Sequence, residues 1–168
     1  MPTEHTHRGK WSQPGVPHRG WSCAGIEDLG EPSATCEMCE AVQIRYVHHM
    51  EHADYPDLLA VGCICAEHME DDYVRPRERE AKLKKAVRRR ASWAKRSWNL
   101  SPRGTVYLNT EGFNLQVFQV SGKPSGWRIA VVNWGTSHRQ EGRKIYTSSE
   151  DAKRAALDAL LWAKDHLR

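Results

Sequence analysis

The sequence predicts an α+β protein: a small cysteine-clustered module, a basic helix, then an antiparallel sheet of three or four strands packed by a C-terminal helix. Three observations predict it. Cys36, Cys39, Cys63 and Cys65 form two tight pairs on either side of a run rich in β-formers. Residues 75–103 carry 12 Lys/Arg against 2 Asp/Glu on a background of good helix formers. Residues 104–168 alternate short apolar runs with Asn, Gly, Pro and Ser turns, then close in an Ala/Leu pattern of helical period.

With 168 residues and 19.2 kDa, the chain has room for one ordinary domain or two small ones. Its net charge of +4 hides a partition. Residues 1–74 hold 4 Lys/Arg against 13 Asp/Glu, and residues 104–168 hold 9 against 6. An acidic module, a very basic connector and a mildly basic tail point to a polyanionic partner for the middle. No apolar run approaches the length of a membrane span, and MPTEHTHRGK lacks the apolar centre of a signal peptide. The expectation is a cytoplasmic protein with no membrane partner, where reducing conditions favour metal thiolates over disulfides. The expected segments are 1–20 disordered, 21–74 metal-binding, 75–103 basic helix and connector, and 104–168 sheet plus helix.

Residues 1–35 are rich in Gly, Pro and Ser and hold no lasting period. An extended piece near Trp21–Ile26 is expected to lie against the module, with Trp21 and Ile26 as packing residues. Cys23 is left over once the cluster takes four thiols, and reads as a buried thiol. His5, His7 and His18 are too scattered to be proposed as ligands.

Cys36-Glu-Met-Cys39 has the two-residue spacer that lets two thiolates reach one ion from a tight knuckle. From Val42 to His52 the pattern is a strand, with Val42, Ile44, Tyr46, His48 and Met50 on one face. A turn over 52–57 leads to a returning strand from Leu58 to Gly62. Cys63-Ile-Cys65 follows, then a helix from Ala66 to Tyr73. Knuckle, hairpin and a second ligand pair at a helix N-terminus form the layout of a treble-clef zinc finger, which makes Zn2+ the expected cofactor. The one-residue spacer departs from that layout. An extended segment puts Cys63 and Cys65 on one side, but a bend at Ile64 is needed to bring their sulfurs to roughly 3.8 Å. His68, one helical turn beyond Cys65, is the alternative fourth ligand in place of Cys63. A module of some forty residues needs such a staple to fold.

The pieces CEMCEAVQIRYVHHMEH and LAVGCICAEHMEDDY, with the upstream GWSCAGIEDLGEPSATC, resemble an uncharacterised bacterial zinc-finger protein family. The likeness covers most of the chain. It implies a bacterial, zinc-binding protein and brings no activity with it. The hairpin is also faintly similar to the HNH nuclease pattern. Under that reading His49 is the general base and Asp54, His68 or Asp72 holds a catalytic metal. The Asp-His pair and the Asn of that pattern are missing, and His48 and His49 otherwise read as opposite faces of one strand.

Helix formers run from Glu78 to Trp98, with Pro76 in the first turn. Leu83, Val87, Ala91, Ala94 and Trp98 share a stripe expected to be core or interface. Lys84, Lys85, Arg88, Arg89, Arg90, Lys95 and Arg96 cover the rest. Like charges at this density repel unless an anion intervenes, and Trp93 and Trp98 between them are placed to stack on bases. The alternative is a solvated face that pairs with the protein's own acidic module.

In the tail, Thr105–Leu108, Phe113–Val120 and Trp127–Trp134 read as strands, with Arg143–Thr147 as a last short one. Thr147-Ser-Ser-Glu150 reads as a capping box opening a helix to Leu167. Ala152, Ala155, Ala156, Ala159, Leu160, Ala163 and Leu167 form its expected buried face. With the basic helix counted, the order is similar to that of double-stranded RNA-binding domains. Ser149-Glu150-Asp151 stands where those domains place a basic pair, so the likeness is one of order alone. The functional expectation is a non-catalytic, zinc-stabilised nucleic-acid-binding protein, for DNA or RNA and indifferent to sequence. A protein–protein adaptor and an HNH-like nuclease are the alternatives.

Overall fold

The computed structural model describes residues 7–167 as two compact units, divided between Arg88 and Arg89. Residues 1–6 and 168 lie outside the described residues, and His5 with them.

In the N-terminal unit, β1 (Ser22–Asp28), β4 (Tyr46–His52) and β5 (Tyr55–Val61) form an antiparallel sheet in the order β1-β4-β5. The two-residue strands β2 (Ala34–Thr35) and β3 (Gln43–Ile44) pair separately and carry the Cys36–Cys39 knuckle between them. The expected strand over 42–52 is thus broken at Arg45. Arg45 leaves the ladder to clamp Asp28, through Nε at 2.7 Å and Nη2 at 3.0 Å. Asp28 is held below the usual carboxylate range by that guanidinium and by the Gly30 amide. The returning strand starts at Tyr55, earlier than expected, because only Ala53 and Asp54 separate it from β4.

Residues 7–20, expected to be disordered, pack into the core instead. A 3-10 turn over Gly9–Ser12 buries Trp11, and Val16 and Trp21 join it. Lys10 N–H donates to the Met38 carbonyl at 2.8 Å, so this segment is fastened to the knuckle. Gly9 is required there. Its φ is +60°, and an added Cβ would sit 2.8 Å from the Met38 oxygen and the Cys39 carbonyl carbon. Trp21 is buried as expected, with its indole N–H on the Pro17 carbonyl, while Ile26 is only half-buried.

Helix α1 spans Cys63–Glu70 with Gly62 as its N-cap, and α2 spans Arg75–Ala94. Asp71, at φ +53°, ends α1, and the Asp72 carboxylate accepts the N–H groups of Val74 and Arg75 to start α2. Arg77 on Glu67 and Arg79 on Glu70 tie the first turns of α2 to α1.

In the C-terminal unit a five-stranded antiparallel sheet runs β10-β9-β8-β7-β6. Its strands are β6 (Asn99–Leu100), β7 (Val106–Thr110), β8 (Phe113–Val120), β9 (Gly126–Asn133) and β10 (Arg139–Glu141). The fifth strand is β6, and the last strand lies at 139–141 rather than 143–147. There only Tyr146 makes a bridge, to Trp127. The β7–β8 turn is built on Glu111 and Gly112, both at positive φ, which matches the twist of a two-residue hairpin. Helix α3 (Ser149–His166) packs Ala152, Ala156, Leu157, Leu160 and Ala163 against Leu108, Phe113, Leu115, Val117, Ile129 and Val131. Leu167 is buried as expected; Ala155 and Ala159 are half-buried, and Leu157 joins the face. The cap is Ser148, one residue later than the box in the sequence suggests. Its hydroxyl accepts the Asp151 N–H at 3.1 Å and donates to the Asp151 carboxylate at 2.8 Å.

Candidate metal centre

The knuckle is positioned by backbone hydrogen bonds on both sides. Cys36 N–H donates to Val42, Glu37 N–H donates to Ala60 on β5, and Glu40 N–H returns to Cys36 at 2.8 Å. Glu40, at φ +53°, closes the turn. The Glu37 carboxylate accepts the Ala60 N–H at 2.6 Å, so the loop is stitched to the strand that leads into α1. Cys65 approaches from the first turn of that helix.

Cys36, Cys39 and Cys65 are all buried, and their sulfurs lie within 4.8 Å of one another, close enough to hold a metal ion. The surroundings favour negative charge on Cys36. Hydrogen bonding from the Cys65 thiol, together with the N–H groups of Cys39, Gly62 and Met38, brings the Cys36 thiol down to about 5 against the opposing effect of burial. Cys65 shifts up, first because its proton bridges to Cys36 and then because it is buried. The Trp11 indole N–H is buried without a hydrogen-bond partner among the described residues, and its closeness to Cys65 favours the thiolate there.

The fourth expected cysteine does not join this set. The expectation treated Cys63-x-Cys65 as extended, which would put both sulfurs on one side. In the structure α1 begins at Cys63, and residues two apart on a helix point about 200° away from each other. Cys63 therefore turns away and gathers with His48 of β4 and Glu80 of α2, again with ligand atoms within 4.8 Å. It shares a helix face with Glu67, whose carboxylate lies 3.8 Å from its sulfur. Burial, then the charges of Glu80 and Glu67, push the Cys63 thiol up to about 12. His68 also stays outside the three-sulfur set; its Nδ1 is 3.2 Å from the Tyr73 hydroxyl, and its ring meets Trp11 edge-on. Cys23 bonds the Gly25 carbonyl at 3.1 Å and belongs to neither group.

The residues of the nuclease reading are separated. His49 faces Glu27 across the sheet, with Nε2 3.2 Å from its carboxylate, whereas Asp54 sits in the β4–β5 turn, where its N–H donates to His52. Neither belongs to a metal-ligating group among the described residues, nor does Asp72, which caps α2. Sequence reasoning missed His48 and Glu80 as partners of Cys63. The signal available was weak: a histidine on the apolar face of a strand, and one of two glutamates among arginines.

The basic helix divides into paired and unpaired cations. Lys84 pairs with Glu80 at 2.6 Å, Arg89 with Glu111 at 2.7 Å and Arg90 with Asp158 at 3.0 Å. Lys85, Arg88, Lys95 and Arg96 are exposed and make no ion pair among the described residues. Trp93, expected to stack on bases, is a core residue. It is 7% exposed, and its indole N–H donates to the Lys153 carbonyl at 2.8 Å. Trp98 packs edge-on against it, with ring centroids 6.2 Å apart. Of the expected stripe, Leu83 and Val87 are half-buried, whereas Ala91 and Ala94 are exposed. No helix of the described residues is long and apolar enough to cross a membrane. No protein-family model, curated protein or solved structure matches the chain.

Proposed function

We propose that the protein is a non-catalytic, zinc-stabilised nucleic-acid-binding protein. Zn2+ is the ion that the donor set favours: three buried thiolates from a knuckle and a helix start suit a soft, tetrahedral cation without redox chemistry. Its place inside the N-terminal core makes its role structural. The treble-clef reading rests on the order of knuckle, hairpin and α1, with Cys65 as the ligand from the helix. His68, one turn further along α1, completes the set by a rotation of its side chain in this reading.

The observation that carries the nucleic-acid reading is the run of exposed cations from 82 to 96. Lys82, Lys85, Arg88, Lys95 and Arg96 all face solvent without a carboxylate partner among the described residues, in a stretch where such partners are otherwise found for Lys84, Arg89 and Arg90. Unscreened like charges this dense are relieved by a phosphate backbone. With Trp93 in the core, binding is by phosphate contact and indifferent to base sequence. The test is retention of single- and double-stranded DNA and RNA by purified protein as salt rises, beside Lys85→Glu/Arg88→Glu and Lys95→Glu/Arg96→Glu. Affinity is expected to fall by about tenfold or more between low and physiological salt, and to drop in both variants. Binding that ignores salt and both variants would overturn the reading. A stable protein complex with no nucleic acid bound would favour an adaptor instead.

A further inference from the structure

His48, Cys63 and Glu80 come from three different elements, β4, α1 and α2, and nothing in their sequence spacing announces them. His48 is completely buried, and its Nε2 lies 3.4 Å from the Glu80 carboxylate, long for a hydrogen bond. All three ligand atoms lie within 4.8 Å of one another. Donors around one tetrahedral zinc-class ion sit roughly 3.3–3.8 Å apart, so side-chain adjustments of about an ångström close the set. We propose that these three residues form a second site, separate from the Cys36/Cys39/Cys65 set, for a divalent cation of the zinc class.

The surroundings fit a cation. The Glu67 carboxylate lies 3.8 Å from Cys63 and Glu80 contributes its own charge, while the nearby positive groups are each engaged. Arg77 is bound to Glu67 and Lys84 to the other Glu80 oxygen at 2.6 Å. Arg79, 3.4 Å from His48 Nδ1, is bound to Glu70. With these pairs neutral, Arg77, Arg79 and Lys84 bring no uncompensated positive charge to the site. A ligand of each kind, imidazole, thiolate and carboxylate, selects a borderline ion such as Zn2+ or Co2+ over Mg2+ or Ca2+.

Cys63 and Glu80 also line a cavity of about 280 Å³ whose wall includes Arg45, Tyr46, Cys36, Cys39 and Cys65. Three protein ligands beside such a space leave the fourth position open to water or a small anion. The two sites differ in their residues and border the same cavity.

The test is metal counting on the intact chain. Chelated protein is reconstituted with excess Co2+ or Zn2+, desalted and measured by mass spectrometry of the metal, with circular dichroism on the same samples. Wild type is expected to hold about two equivalents per chain, and Cys63→Ser and Glu80→Gln about one each, with the cobalt–thiolate absorption of the three-sulfur set retained. Glu80→Gln keeps the side-chain shape, so it separates loss of a ligand from loss of fold. A wild-type content of one would overturn the proposal. So would a second equivalent that survives Glu80→Gln and His48→Gln, because that ion would then be held by other residues.

Discussion

The two units have cores of different composition. The C-terminal unit is a sheet with one helix laid on it, and its core is aliphatic and aromatic throughout, from Leu108 and Phe113 to Leu157 and Leu160. The N-terminal unit spends its most buried positions on sulfur: Cys36, Met38, Cys39, Met50, Cys65 and Met69 are all within 4% of full burial. Its longest strands have seven residues, and its edges are held by ion pairs such as Arg45–Asp28 and Arg77–Glu67. One unit is held by packing alone; for the other we propose a metal tie as well. A packed unit fails gradually as methylenes are removed, whereas a tied one fails when the knot is cut.

That contrast is broken most directly at the knot. Cys39→Ser should abolish metal retention at the three-sulfur set and unfold the N-terminal unit, at a cost of several kcal/mol and up to about 10. Loss of the near-native signals of that unit alone, with the C-terminal melt unchanged, is the expected result in calorimetry or hydrogen exchange. The counterpart in the packed unit is Leu160→Ala. It should lower the C-terminal transition by about 2–5 kcal/mol and leave metal content untouched. If Leu160→Ala released metal, the two units would not be independent.

A smaller effect sharpens the tie between the N-terminal segment and the knuckle. Gly9→Ala puts a Cβ against the Met38 and Cys39 backbone at a positive φ, and should cost about 1–3 kcal/mol in the N-terminal transition. An unchanged melting temperature would mean that the segment is not fastened as described. Smallest is the α3 cap. Ser148→Ala should cost about 1 kcal/mol in the C-terminal transition. Asp151 is held below its ordinary range by the Ser148 hydroxyl and then by Arg154. Its contribution is therefore present above the unfolded carboxylate value, near 4, and is lost as pH falls through the lower folded one. Ser148→Ala should flatten that acid dependence in melts below about pH 4.

Periodicity made much of this architecture legible. The alternation from Phe113 to Val120 and the Ala/Leu spacing of α3 report their own burial, because a sheet face and a helix stripe repeat along the sequence. The Cys36-x-x-Cys39 knuckle is as readable, since a two-residue spacer has few other uses. What stayed hidden depends on a single boundary or a single distant contact. Starting α1 at Cys63 rather than Ala66 rotates one sulfur out of the set, and the Gly62 cap offers no side chain to announce that start. Trp11 packs on a knuckle far along the chain from a segment that reads as Gly/Pro linker. Trp93 looked like a base-stacking residue because it stands among arginines. Its burial depends on the sheet and α3, which no local pattern around it records.

The central proposal is that a metal on Cys36, Cys39 and Cys65 is needed, beside the apolar core, to hold the N-terminal unit. Hydrogen exchange on the full chain, before and after removal of metal with a strong zinc chelator, tests it most directly. Protection should vanish across β4, β5 and α1 on chelation and persist across β8, β9 and α3. Protection that survives in β4, β5 and α1 of verified metal-free protein would contradict the account.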